Sequence, residues 1–256
     1  MIECARKASR GGRLARLTLL ALSAILPVEG VPNAGQSPPP PTFPAWLGAV
    51  GHLSVPGDRR GREGIQRYLE DCSATLVAGP GQHAANTVVT AWHCLADFRD
   101  LSRTITVTLP TISGATLSRE AYPVAQGGGM HADWAILGLH RPIAREDVVP
   151  LRIQPGRADR ARPVAAAGYA PALSGVPRAR QLNFDRHCNI TGQTADSTDT
   201  DCIAFKGASG GAIVQRSATG EFLLCGVISE GDSNGYSRYV PVAAFRRELQ
   251  ARLRGS

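Results

Sequence analysis

An all-β fold with one helix at its C-terminal end is what this 256-residue sequence predicts. Two observations predict it. Short apolar runs, many of them β-branched, recur between clusters of Gly, Pro, Asp and Asn, as expected of a sandwich or barrel. A helical period appears near the end of the chain, in Val242–Leu253, where Phe245, Leu249 and Leu253 are spaced by four. Apolar residues make up 43% of the chain, enough for a substantial core. No repeat of solenoid or propeller period is present.

Taken in order, the strand candidates are Trp46–Leu53, Ser73–Ala78, Thr87–Ala91, Ile105–Leu109, Trp134–Leu139, Pro163–Ala167, Gly211–Gln215 and Phe222–Ser229. Ahead of them, Gln36-Ser-Pro-Pro-Pro-Pro-Thr42 is a stiff, extended spacer. Ahead of that, bases ending at Arg16 precede the apolar run Leu17–Val28. That run has the length of a signal-peptide core and is short for a membrane span. The expected division is a signal peptide over residues 1–30 (or to 34), a Pro-rich linker over 31–42 and a globular domain over 43–256. An uncleaved anchor is the alternative for the first segment. Either way the domain is expected in a secreted or periplasmic, disulfide-permissive setting, with no stable membrane insertion once the signal is removed.

Net charge is +7, but a net +3 of it sits in residues 1–30, leaving +4 on the rest. The remaining arginines are scattered, a solvated surface rather than a nucleic-acid footprint. Of six cysteines, Cys4 falls in the presumed signal, and Cys72, Cys94, Cys188, Cys202 and Cys225 remain. Five leave one unpaired within the chain. There is no Cys-x-x-Cys and no zinc-finger spacing, so no structural metal site is expected, and the chemistry of the segments below calls for no cofactor.

Three segments carry chemistry. In Gly207-Ala-Ser-Gly-Gly211, glycines let the backbone turn sharply around Ser209 and bring N–H groups toward a reacting oxygen. The string also fits the nucleophile elbow of α/β-hydrolases, which needs a later histidine. All six histidines (His52, His83, His93, His131, His140 and His187) precede Ser209, so the order His…Asp…Ser is the permitted one. In Val88-Val-Thr-Ala-Trp-His-Cys94, an apolar strand runs into His93 and a cysteine follows. Cys72 opens another short strand and is the natural partner for Cys94; that bond would hold a general base still. In Asp133-Trp-Ala-Ile-Leu137, a carboxylate opens a strongly apolar run, so it needs a partner such as an imidazole N–H. Asp97 and Asp100 lie nearer to His93 in sequence but in a polar segment.

These segments resemble the motifs of the trypsin/chymotrypsin-like serine peptidases. Thr90-Ala-Trp-His-Cys94 is similar to Thr-Ala-Ala-His-Cys, Asp133-Trp-Ala-Ile-Leu137 to Asp-Ile-Ala-Leu, and Gly207-Ala-Ser-Gly-Gly211 to Gly-Asp-Ser-Gly-Gly. Cys72-Ser-Ala-Thr-Leu76 resembles the strand of the partner cysteine, and Gly226-Val-Ile-Ser-Glu-Gly231 the substrate-binding strand. With five motifs in the family's order, over about residues 43–250, the chain is identified as a member of that family, and the pair Cys188 and Cys202 resembles its bacterial-type members. The resemblance implies two packed six-stranded antiparallel β-barrels with the cleft between them. It implies Ser209 as nucleophile, His93 as base and Asp133 as its orienter. Gly207 and Ser209 would supply the oxyanion-hole N–H groups. Ser229, Glu230 and Gly231 would line the cleft, Ile203 would stand at the pocket floor and Lys206 at its rim. The expected activity is a serine endopeptidase acting on protein or peptide substrates as a monomer.

Cys188 and Cys202 bracket a polar loop, and similar pairs occur in bacterial-type relatives; Cys225, inside an apolar run, reads as a buried free thiol. Ala208 stands where zymogen-type members carry the aspartate that pairs with a freshly cut N-terminus. That activation is not expected here, so the loop of Ser209 should be shaped without cleavage. Two rivals stay open: an inactive protease-like binding domain, kept by Ala208, and an α/β-hydrolase esterase, disfavoured by residue order.

Overall fold

The computed structural model describes residues 44–62, 64–172 and 179–255. The signal-peptide and linker expectations fall on residues outside these. After a 3-10 turn at Ala45–Ala49, strands β1 (Val50–Gly61), β2 (Gly64–Val77), β3 (Ala84–Thr90), β4 (Ile105–Pro110), β5 (Thr116–Gln126) and β6 (Ala135–Ala144) follow. They close into a barrel in the order β1-β2-β3-β6-β5-β4, with neighbours antiparallel. Burial along the barrel strands follows the sequence: β6 opens with five buried residues and β4 alternates. In β4, Ile105, Val107 and Leu109 are buried while the residues between them are half-exposed.

The second half comprises β7 (Arg152–Ile153), β8 (Val164–Pro171), β9 (Arg180–Cys188), β10 (Ile190–Gln193), β11 (Thr198–Thr200), β12 (Ala212–Arg216), β13 (Phe222–Gly231) and β14 (Ser237–Pro241). Its order is β10-β11-β14-β13-β12-β8-β9, with β7 parallel to β13. The two-barrel expectation is met with one difference. The first barrel is closed and six-stranded, whereas the second is a curled sheet that stays open. A single helix, α1 (Val242–Arg254), ends the fold. It buries Val242, Phe245, Leu249 and Leu253, the last three being the residues its period picked out.

One apolar core runs through the barrel and under α1, and a smaller one lies inside the curled sheet. The ring of Trp134 stacks on Phe245 at a 5.1 Å centroid distance, so the helix braces the chain next to Asp133. Two disulfides form, Cys72–Cys94 and Cys188–Cys202, and Cys225 is a buried free thiol. Burial pushes that thiol up to about 12, so it stays protonated and unreactive.

Candidate active site

His93 lies in a 3-10 turn, Trp92–Leu95, directly after β3. The disulfide from Cys94 to Cys72 ties that turn to β2. Asp133 sits one residue before Trp134 at the approach to β6 and has no solvent exposure. A buried carboxylate must be paired, and this one accepts three bonds. His93 Nδ1 lies 2.8 Å from Oδ2, the His93 backbone N–H donates to Oδ1 at 2.9 Å, and Ser229 Oγ–H donates to Oδ2 at 2.5 Å.

The last bond comes from a bulge. The β13–β14 register shifts between Ile228 and Glu230, and this turns the Ser229 hydroxyl onto Asp133. Burial is the largest influence on the Asp133 carboxyl and raises its pKa, but the bonds from His93 and Ser229 outweigh it, so Asp133 stays an anion below the usual range. Burial is likewise the largest influence on His93 and disfavours its cation. The bond and charge of Asp133, with Glu70 and Glu230 farther away, overcome it and lift the ring above its ordinary 6.5.

Across the cleft, Ser209 sits between β11 and β12 in a loop with left-handed glycines, Gly207 at φ +97° and Gly210 at φ +84°. A Cβ at Gly210 would lie 2.0 Å from Ser73 O and 2.2 Å from Thr90 Oγ1, so only glycine fits there. The Ala208 carbonyl accepts from Gly211 N–H at 2.8 Å. Since N–H and C=O oppose each other in a trans peptide, this aims the Ser209 N–H the other way. Among the described residues, neither the Gly207 nor the Ser209 N–H donates to a protein acceptor. Ser209 Oγ lies 3.5 Å from the Ser229 carbonyl.

A cleft of about 440 Å³ joins the two halves, with His93, Ser209 and Gly207 on its walls beside Lys206, Ser229, Glu230 and Gly231. Glu70 and Asp71 of β2 line it too. Ile203 lies outside: it is 44% exposed and its N–H donates to Asp185 Oδ2 at 3.1 Å. The next residue, Ala204, lines the cleft. A Cβ on Gly231 would lie 2.5 Å from Ala204 O, so the strand and the loop meet there. Ser233, the one non-glycine with positive φ among the described residues (62°), donates its N–H to the same carbonyl at 3.2 Å.

Cys72, His93 and Cys94 present ligand-type atoms within 4.8 Å of one another. The two sulfurs are bonded to each other and Nδ1 is held by Asp133, so this group has no thiolate to offer a metal.

A buried anion, an imidazole raised above its ordinary pKa and a hydroxyl in a glycine loop with unengaged N–H groups form a constellation suited to acyl transfer. No curated protein matches the chain. Among solved structures, it is similar to the crystal structure of Deg5 (TM-score 0.53, 15% identity, covering 79% of this chain and 88% of that one). It is also similar to a thermostable serine protease, AL20, from an extremophilic microorganism (TM-score 0.54, 18% identity, covering 81% and 98%). At these identities the likeness speaks for the fold. The family model for the trypsin-like peptidase domain matches residues 72–223, more than half of the chain. By that match, the chain belongs to the trypsin-like peptidase family and is a serine-type peptidase.

Proposed function

We propose that the chain is an exported endopeptidase that cleaves peptide bonds through an acyl-enzyme on Ser209. His93 takes the proton of the Ser209 hydroxyl as Oγ attacks the carbonyl carbon, then gives that proton to the leaving amine. Water, deprotonated by the same ring, releases the acid. Asp133 fixes the tautomer of His93 and offsets the charge the ring acquires. The N–H groups of Gly207 and Ser209 receive the oxyanion. The single observation that carries this reading is the His93–Asp133 contact of 2.8 Å, made at a fully buried carboxylate, on a cleft that Ser209 also lines.

Export is supported by the two disulfides and by the basic-then-apolar N-terminal sequence. No helix among the described residues is long and apolar enough to cross a membrane. Because Gly231 and Ala204 meet where a deeper pocket would open, the side chain before the cleaved bond is expected to be small.

A fluorophosphonate probe tests the reading. One label per chain is expected, lost in Ser209→Ala, with peptide-library cleavage concentrated after small residues. A correctly folded chain that neither labels nor cleaves would instead be the protease-like binding domain.

A further inference from the structure

Alternation along β2 places Cys72, Ala74 and Leu76 on one face and Ser73 and Thr75 on the other, yet both serine and threonine are fully buried. They are covered by the nucleophile loop. Every polar atom of Ser73 is engaged. Its N–H donates to Ser209 O at 2.7 Å. Its Oγ accepts from Tyr169 N–H at 2.8 Å, so the hydroxyl proton goes to Gly207 O, also at 2.8 Å. Its carbonyl accepts from Thr90 Oγ1 at 2.8 Å.

The two carbonyls that Ser73 holds lie on either side of Ala208. Holding Gly207 O fixes the peptide plane before Ala208. Holding Ser209 O fixes the plane after Ser209. The plane between them, which carries the Ser209 N–H, is held by Gly211. A loop with left-handed glycines has many conformations to choose from, so three restrained planes in succession are a strong constraint. Ala208 cannot contribute a charge. It is 5% exposed, and a Cβ on Gly168 would lie only 2.8 Å from the Ala208 Cβ, so the two backbones are in close apolar contact. Trp46, near the start of the domain, is itself 6% exposed and packs on Phe222 at 5.7 Å.

We propose that Ser73 is a positioning residue that holds the nucleophile loop in its oxyanion-binding shape by neutral hydrogen bonds, in place of an ion pair made by cleavage. This rests on Ser209 being the nucleophile. The β2 strand of the closed barrel thereby sets the geometry of a loop that belongs to the other half. Tyr169 on β8 completes the bridge.

The test is steady-state kinetics of the full chain with Ser73→Ala, beside Thr200→Ala. Thr200 is also buried and hydrogen-bonded, to Ser237 at 2.8 Å, and takes no part in the cleft. Both variants should lower Tm. Only Ser73→Ala should lower kcat, by about 10- to 100-fold with KM within about two-fold. A peptide boronate, which forms a tetrahedral adduct on the nucleophile, should weaken by a similar factor. Ser73→Gly gives the same comparison if Ser73→Ala does not fold. A Ser73 variant with wild-type kcat and boronate affinity would overturn this proposal while leaving the peptidase reading intact. An inert wild-type chain would overturn the peptidase reading itself.

Discussion

The two sides of the cleft are held in place by different means. On the closed-barrel side, the proposed base is fixed mainly through side chains: a disulfide anchors the turn of His93, and three bonds converge on the Asp133 carboxylate. On the curled-sheet side, the proposed nucleophile is fixed through its own backbone: glycines set the turn, and the carbonyls on either side of Ala208 are held by the hydroxyl and N–H of Ser73. Each half also reaches into the other, Ser229 supporting Asp133 and Ser73 supporting Gly207. A base must be oriented, and the charge it gains on taking a proton must be offset, which calls for a buried anion. An oxyanion site needs N–H groups aimed with little freedom, which calls for a restrained backbone.

Breaking the side-chain half should cost most. Asp133→Asn keeps the shape but removes the anion and favours the wrong tautomer of His93, so kcat is expected to fall about 10⁴-fold. Steady-state kinetics with a chromogenic peptide read this directly. Breaking the backbone half should come next. Gly210→Ala forces a Cβ into Ser73 O at 2.0 Å and into a left-handed φ, so at least about a 100-fold loss of kcat and a lower Tm are expected.

The disulfides sharpen the contrast. Replacing either pair with serines should cost about 3 kcal/mol of stability by chain entropy, as read from denaturant melts. Loss of Cys72–Cys94 should also lower kcat by more than about 10-fold at a temperature where the variant is folded, because that bond holds the turn of His93. Loss of Cys188–Cys202 should change kcat much less.

The smallest effect is electrostatic. With neutral His93 as the proposed base, activity is expected to fall as pH drops through its pKa. Asp133, Glu70 and Glu230 lift that pKa above 6.5 against burial, so the acidic limb of kcat/KM should lie above 6.5. Glu70→Gln and Glu230→Gln each remove a negative charge that favours the imidazolium. Each should move that limb to lower pH, more so at low ionic strength.

The parts of this molecule that are buried as apolar runs or at a regular period, or punctuated by glycine, were visible in its sequence. The strand segments around Ile105, Ile136, Val214 and Val227 were legible for that reason, as was the helix through Phe245. The outer part of the β1–β2 hairpin, β5 and β9 were not, because most of their residues are partly or fully exposed and show little apolar period. The candidate triad was legible because its residues sit beside distinctive neighbours: Cys94, an apolar run, and glycines. Ser73 was not, since a serine alternating with apolar residues looks like the solvent face of a strand until a distant loop covers it. The bonding of Ser229 to Asp133 depends on a bulge that leaves no mark in the sequence. Counting six residues back from Ser209 placed Ile203 at the pocket floor. The chain instead brings Ala204 against Gly231 and leaves Ile203 outside.

The proposed chemistry requires that Ser209 become covalently acylated with His93 as the base. Rapid mixing of the full chain with an activated acyl ester, quenching in acid and locating the acyl group by peptide mass spectrometry tests it most directly. A burst of one acyl group per chain is expected, located on the peptide containing Ser209, with a burst rate at least about 10³-fold slower in His93→Ala. An acyl group on another residue, or an undiminished burst in His93→Ala, would rule this chemistry out.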